Sequence, residues 1–336
     1  MPRVLISKTV LAEHRPRIDA FLAERRLAVE WLHLPADYTH RLPDAERARI
    51  DVGFLTRDVR FSETGLACFI DTLSTSPNLG WIHFSSSGVS QHTWTHPLIA
   101  NGVVVSTSVG ANADPVSQTC LLGLLMLARP ARHWIDGQHR GVWNPVRGNA
   151  QPDDLAGQTA IVVGVGEIGG RVVRYLKMLG LRVTGLRRSP KRADDAADEI
   201  RPLADLPSLL PVADWVILTC PSTDDTRRLM NARTLALMKP TAHLINMSRG
   251  DVVDEAAVID VLREKRIAGA FLDVYEVEPL PSDSPLWKLP NVILSPHNSS
   301  ASTGNDWRSI LAFLENLERR EKGEPLRHVW TPGSGE

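Results

Sequence analysis

The sequence predicts an α/β protein made of two Rossmann- or flavodoxin-like domains, each a doubly wound parallel sheet. Three observations carry this. Short apolar runs rich in β-branched residues alternate with longer stretches of helical pattern almost throughout. These runs show no apolar–polar alternation, as expected for strands buried on both faces of a parallel sheet. The length, 336 residues, suits two domains that each bury a core.

The elements follow in order. RVLIS (3–7), VGFLT (52–56), WIHFS (81–85) and VVVST (103–107) read as strands of a first domain. DPVSQTCLLGLLMLARPARHWID (114–136) reads as a long helix or helix pair, mostly apolar and therefore expected to be buried. RGVWNPVRGNAQPDDLAGQ (140–158), rich in Gly, Pro and Asn, reads as loop, and a strong new start follows at Thr159. AIVVGVG (160–166), LRVTGL (181–186), WVILTC (215–220), HLINMS (243–248), AGAFLDV (268–274) and VILS (292–295) read as strands of a second domain. WRSILAFLENLERREKG (307–323) is a last helix. Packed on the N-terminal half, it makes the first domain discontinuous, with residues 1–108 and 298–336 enclosing an inserted domain at 109–297.

Composition excludes several classes. Lys plus Arg total 38 against 39 acidic residues, so no global field favours nucleic acid or an anionic membrane. MPRVLISKTV is a strand pattern without the apolar core and cleavage site of a signal peptide. The longest apolar run, Cys120 to Ala128, falls short of the roughly 18 residues of a membrane span. Cys68, Cys120 and Cys220 are odd in number, widely spaced and set in apolar contexts, which suits reduced core thiols of a cytoplasmic protein and no zinc or other metal site.

The strongest local signal is IVVGVGEIGGRVVRYLKMLGLRVTGLRR, where Gly164, Gly166 and Gly169 form a G-x-G-x-x-G frame. An apolar strand precedes it, a helix follows, and a second strand comes next, which is the context of a dinucleotide site. Gly164 permits the tight turn, Gly166 lets backbone approach a pyrophosphate, and Gly169 allows close helix–strand packing. The second strand ends in Leu186-Arg187-Arg188-Ser189 where an NAD site usually carries a carboxylate. Two guanidiniums and a hydroxyl suit a 2′-phosphate, so NADP is favoured and NAD remains an alternative.

Four more residues stand at or beyond strand ends, where open α/β sheets bind ligands: Arg249, Asp273, Glu278 and His297. An arginine can clamp a carboxylate with two hydrogen bonds and polarise the adjacent carbonyl. A histidine titrates near neutral pH and can give a proton to an oxygen as hydride reaches the carbon. A carboxylate bonded to its other ring nitrogen fixes the tautomer. Each residue also has a plain structural reading as a cap, turn or strand-end group.

From WIHFSSSGV to GEPLRHVW the chain resembles the D-isomer-specific 2-hydroxyacid dehydrogenase family. VGVGEIGGRVVRYLKMLG, TDDTRRLMNARTLALMKPTAHLINMSRGDVVDEAAVIDVL and GAFLDVYEVEPLPSDSPLWKLPNVILSPH carry the resemblance in order and spacing. It implies that Arg249 is the substrate-binding catalytic arginine, His297 the acid/base and Glu278 its partner. It also implies that Asp273 meets the nicotinamide end of the cofactor and that the backbone of Ser87-Gly88-Val89 holds the substrate carboxylate. Cofactor contacts are expected at Gly164, Gly166, Glu167, Ile168, Gly169, Arg187, Arg188, Ser189, Cys220, Pro221, Thr226, Met247, Ser248, Arg249, Asp273 and His297. A homodimer joined through 114–136 and 137–150 is implied, with Trp143 of one subunit a candidate for the other's site.

The chain departs from the family at Gln118, where a Glu is common, at Ser90, where an acid or Asn is expected, and at Asn298-Ser299-Ser300, where small Gly/Ala-rich residues are usual. These departures bear on substrate more than on chemistry. The expected activity is reduction of a small 2-oxoacid, glyoxylate or hydroxypyruvate first, by NADPH, or the reverse oxidation of a D-2-hydroxyacid. The length argues against an added regulatory domain of the kind some phosphoglycerate dehydrogenases carry. Alternatives are a phosphite- or formate-dehydrogenase-like oxidoreductase, the latter disfavoured by Glu278, and a non-catalytic dinucleotide-sensing protein like the co-repressors on this fold.

Overall fold

The structure, a computed structural model, describes residues 1–35, 38, 42–89 and 92–332, so Ser90 lies outside the described residues. The chain divides into two units, Met1–Asn112 with Ser302–Glu336, and Ala113–Ala301.

In the first unit β1 (Arg3–Leu5), β2 (Glu30–Leu32), β3 (Val52–Leu55), β4 (Trp81–Phe84) and β5 (Val104–Thr107) form a parallel sheet in the order β5-β4-β3-β1-β2. The sheet has two cores because its strands bury both faces. Leu5, Leu55, Ile82 and Phe84 pack on one side with Phe69 and Leu73. Val4, Val52, Phe54 and Trp81 pack on the other with Ile310, Phe313, Leu314 and Leu317 of the late helix Asn305–Glu321. Phe313 stacks on Phe54 at 4.6 Å and on Trp81 at 5.2 Å. The late helix thus completes the core of the first unit, which is discontinuous in sequence.

The second unit contributes β6 (Thr159–Val163), β7 (Arg182–Leu186), β8 (Glu199–Arg201), β9 (Trp215–Leu218), β10 (His243–Asn246), β11 (Gly269–Leu272) and β12 (Val292–Leu294). All pair in parallel, in the order β12-β11-β10-β9-β6-β7-β8, the doubly wound arrangement with its crossover reversal between β6 and β9. A final strand, β13 (Val329–Trp330), adds antiparallel to β5 in the first unit. The apolar runs had not marked β2, β8 and β13: all three are edge strands of two or three residues, with one neighbour each to satisfy.

One expectation is corrected. Residues 114–136 are two helices, Ala113–Ala128 and Ala131–Arg140, and are not buried throughout. Pro130 separates them, since proline cannot donate the helical N–H and disfavours helix at the residue before it. The first helix presses Gly123 against the ring of Phe271 but exposes Leu122 and Leu125, and the second exposes Trp134 and Ile135. Cys68, Cys120 and Cys220 are all buried. No helix among the described residues is long and apolar enough to cross a membrane, and no group of metal-ligating side chains is gathered there.

A directional hydrogen-bond chain joins β4 to β5 in the first unit. The Trp81 indole N–H donates to Ser106 Oγ (2.8 Å), which pairs with His83 Nδ1 (2.7 Å). His83 Nε2 pairs with Ser108 Oγ (2.9 Å), which donates to the Phe84 carbonyl (2.9 Å). The Phe84 carbonyl can only accept, so Ser108 Oγ spends its hydrogen there and accepts from His83 Nε2–H; with the ring neutral through burial, Nδ1 accepts from Ser106 Oγ. Burial holds the His83 pKa down at about 3. Ser108 N–H in turn donates to the carbonyls of Phe84 and Ser86, so the chain ends at the loop carrying Ser87–Val89. Burial also lowers His243, stacked on Trp215 in the second unit, to about 4.

Both folded-state values lie below the unfolded 6.5, so the stabilisation they bring is present above 6.5 and lost as pH falls through the window beneath it. Denaturant titrations at pH about 7 and about 5 should show unfolding free energy dropping by about 1.4 kcal/mol per pH unit for each histidine. His83→Asn should remove its share of that slope. An unchanged slope would contradict the buried neutral assignment.

Candidate active site

Because every strand of the second unit's sheet runs the same way, the segments following β6, β7, β9, β10, β11 and β12 leave from one edge. After β6 the chain turns at Gly164, whose φ of +92° suits glycine, and a side chain there would collide with Cys220 after β9. Gly169 lies against the Gly164 carbonyl and Thr219 Oγ1, leaving no room for a Cβ, whereas the space over Gly166 is open. Gly166 is the N-cap of the helix Glu167–Met178, and no side chain caps it. The first-turn N–H groups of Glu167, Ile168 and Gly169 are therefore available to a ligand anion, so the loop fits a dinucleotide pyrophosphate. Glu167 itself pairs with Arg171 (2.9 Å).

At the end of β7 the two arginines differ. Arg187 is nearly buried and donates to both oxygens of Asp195 (2.8 and 2.5 Å) and to the carbonyls of Ser189 (3.0 Å) and Pro190 (2.5 Å). Its charge holds the Asp195 carboxyl below the ordinary carboxylate range. Arg187 therefore shapes the loop from inside. The Arg188 side chain is 80% exposed and meets Asp225 at 2.9 Å, and the Ser189 hydroxyl has no protein partner among the described residues. After β9, burial raises the Cys220 thiol to about 11, and Thr226 Oγ1 donates to the Pro221 carbonyl (2.7 Å), fixing that turn.

Three adjacent strands deliver the remaining residues. After β10, buried Asn246 accepts from Ser248 N–H (3.1 Å) and Oγ (2.7 Å) and donates to the Arg249 carbonyl (3.1 Å), pinning Met247–Arg249. Arg249 Nη1 donates to the Ser248 carbonyl (2.8 Å). Gly250 passes so close to the Tyr275 carbonyl that a side chain would collide, which ties the exit of β10 to that of β11. Tyr275 N–H then donates to Glu278 Oε1 (3.0 Å), and Glu278 Oε2 meets His297 Nδ1 at 2.6 Å. His297 stands after β12 with φ +49°, a left-handed conformation uncommon outside glycine. Asp273, 1% exposed, holds that turn: its Oδ1 accepts the N–H groups of Asn298 (3.0 Å) and Ser299 (3.2 Å), and its carbonyl accepts that of His297 (2.8 Å). Glu278 and His297 line an open pocket of about 490 Å³ with Tyr275, Leu280, Trp287 and Leu294.

In the first unit, the Ser85 N–H donates to Leu55 O as β4 ends beside β3. The following N–H groups of Ser87, Gly88 and Val89 donate to no protein acceptor among the described residues, which leaves a run of free donors suited to a carboxylate.

A family profile described as D-isomer specific 2-hydroxyacid dehydrogenase, NAD binding domain, matches residues 121–299, more than half of the chain. The chain belongs to this family. A glyoxylate reductase of Thermofilum pendens is 33% identical over 282 residues, covering 80% of this chain and 81% of that one. The crystal structure of a D-isomer specific 2-hydroxyacid dehydrogenase from Xanthobacter autotrophicus Py2, in complex with NADPH and MES, matches with a TM-score of 0.73 at 28% identity over 98% of both chains. An NADPH-dependent glyoxylate/hydroxypyruvate reductase from Sinorhizobium meliloti, in complex with NADP and sulfate, matches with a TM-score of 0.72 at 25% identity over 99% of both chains. As a 2-hydroxyacid dehydrogenase the protein is an NAD(P)-dependent oxidoreductase.

Of the residues singled out in the sequence, Gly164, Gly166, Glu167, Ile168 and Gly169 form one turn with Cys220 beside it. Glu278 and His297 are bonded, and Asp273 supports them from below. Met247, Ser248 and Thr226 are buried, so what each offers a ligand is mainly backbone. Asn246 and His83 were missed. Each is a polar residue within an apolar strand, and that interruption was the available signal. Removing the carboxylate that holds the His297 turn leaves the N–H groups of Asn298 and Ser299, the second of them buried, without their acceptor. Asp273→Ala should therefore lose about 1–3 kcal/mol of stability and cut kcat roughly tenfold or more by misplacing His297. Asp273→Asn, which keeps an acceptor oxygen, should be milder. Thermal melts and steady-state rates would check this; equal behaviour of the two variants would count against it.

Proposed function

We propose that the protein reduces small 2-oxoacids to D-2-hydroxyacids, glyoxylate and hydroxypyruvate among them, with NADPH preferred to NADH, and works in the cytoplasm as a homodimer. The hydrogen-bonded Glu278–His297 pair on the strand edge shared by Arg249 and the glycine turn carries this reading. The second unit serves as the dinucleotide-binding domain and the first as the substrate domain.

The bound nicotinamide supplies the hydride. Arg249 binds the substrate carboxylate and faces the carbonyl oxygen, where negative charge grows during the reaction. The free N–H groups of Ser87–Val89 give the first unit donors suited to a substrate carboxylate. His297, with Nδ1–H held by Glu278, enters the reduction carrying a proton on both ring nitrogens, gives the Nε2 proton to that oxygen and is left as the neutral Nδ1–H tautomer. In the reverse direction it takes the proton back. Arg188 and Ser189, with donors to spare, meet the 2′-phosphate, and Arg187 holds their loop through Asp195. The bound NADPH and NADP of the two similar crystal structures support this preference. For the dimer, the support is an exposed apolar surface of Leu122, Leu125, Trp134, Ile135, Val142 and Trp143, the last 94% exposed.

Oxidation of NADPH with glyoxylate and hydroxypyruvate tests the reading. His297→Ala should lose roughly 100-fold or more in kcat, and Glu278→Gln roughly tenfold or more. Full turnover by His297→Ala, or no turnover of any 2-oxoacid by the wild type, would overturn it. The NADPH:NADH ratio of kcat/KM should fall about tenfold in Arg188→Ala, the loss of one charge-assisted contact; a wild type that favours NADH would reject the 2′-phosphate role. Light scattering should give twice the chain mass, and Trp134→Glu should lower it.

A further inference from the structure

A histidine and two serines lie buried where β4 meets β5, and the reaction above uses none of them. His83 is fully enclosed, its ring centre 5.4 Å from that of Phe54, 5.9 Å from Trp81 and 5.6 Å from Phe313. Both its nitrogens have partners, Ser106 Oγ on one side and Ser108 Oγ on the other. Just past β5, Ser108 holds the loop that leaves β4. Its N–H is shared between the carbonyls of Phe84 and Ser86, at 3.0 Å each, and its hydroxyl also donates to the Phe84 carbonyl. Further along, Ser86 Oγ donates to the Gly88 carbonyl (3.0 Å), and the His92 N–H to that of Val89 (2.9 Å). The loop is thus anchored through its carbonyls. Among the described residues, that anchoring leaves the N–H groups of Ser87–Val89 without an acceptor.

A buried imidazole with two obligatory partners gains little stability over an apolar side chain of similar size, since its hydrogen bonds mainly offset its desolvation. What it adds is direction. With His83 Nε2–H donating to Ser108 Oγ, the serine hydroxyl is turned to give its own hydrogen to the Phe84 carbonyl. The hydroxyl then supplies that carbonyl, and the Ser108 N–H can lean to Ser86 and draw the loop back over the strand end. The three rings around His83 confine the imidazole, so the geometry is set in the core and passed outward.

We infer that His83, acting through Ser108, is a positioning residue for the substrate: it sets the N–H run of Ser87–Val89 and so governs affinity for the 2-oxoacid carboxylate. This rests on the reading that those N–H groups bind that carboxylate. A contact made equally in the ground and transition states acts on KM and leaves kcat alone.

The test uses the full-length protein, NADPH, and whichever of glyoxylate and hydroxypyruvate turns over faster. Ser108→Ala and His83→Leu should each raise the KM for that acid about fivefold to tenfold, the weakening of one charge-assisted contact. Both kcat and the KM for NADPH should stay within about twofold of wild type. Ser108→Ala leaves the His83 Nε2–H buried without an acceptor, so it should melt lower than wild type. In the double variant both partners are gone; its Tm should recover from that of Ser108→Ala while its KM stays as high as in either single variant. The proposal is overturned by a 2-oxoacid KM that stays within about twofold of wild type in both single variants. A KM that recovers along with Tm in the double variant, or that rises together with the KM for NADPH, shows a merely structural role and overturns it too. Should the wild type turn over no 2-oxoacid, the reductase reading fails and the relay is judged by oxalate. Oxalate should then raise the Tm of the wild type more than that of Ser108→Ala; equal shifts, or none in the wild type, overturn the relay.

Discussion

A single buried carboxylate bears on everything at the strand edge of the second unit. Asp273 accepts two consecutive N–H groups beyond His297, and its carbonyl takes a third. Those bonds hold the histidine backbone in a left-handed conformation that the residue would not choose. Only from there does Nδ1 reach Glu278, which is itself placed by Tyr275 N–H. Histidine, glutamate and aspartate come from the exits of two adjacent strands, so the register between β11 and β12 sets their relative height. The polar side chains after His297 had drawn attention as a departure from the family; in the structure it is the backbone of Asn298 and Ser299 that bears the weight.

The fold was legible because its signals are local. A strand buried on both faces advertises itself in four or five residues, and the glycine turn carries its own geometry in Gly164 and Gly169. The pairing of Glu278 with His297 was legible only through the family resemblance, since nothing in the residues between them reports that the two chain segments meet. What escaped was non-local. That Arg187 is held by Asp195 depends on how an irregular loop folds back over eight residues, and no propensity reports it. Asn246 and His83 read as blemishes in apolar strands until their neighbours are in view. The exposed face of 114–136 was misjudged because apolar composition says that a surface wants covering, without saying that the same chain covers it.

Charge is handled in two opposite ways. Arg187, Arg171 and Lys239 each have an acid within 2.9 Å, and the polar groups around them settle into fixed loops. Among the described residues Arg57 and Arg60 have no such acid, and both lie near the exposed ring of Phe61 instead. The first arrangement builds framework, and the second leaves its guanidiniums to solvent and an aromatic face.

The helix Asn305–Glu321 has a further consequence, in the order of events during synthesis. Phe313, which seals Phe54 and Trp81, is made after the whole of the second unit. On the ribosome, residues 113–301 can therefore finish folding while the first sheet still has one greasy face open. For that interval the earliest part of the chain is the least protected, and a chaperone seeking this protein would find its handle on β3 and β4.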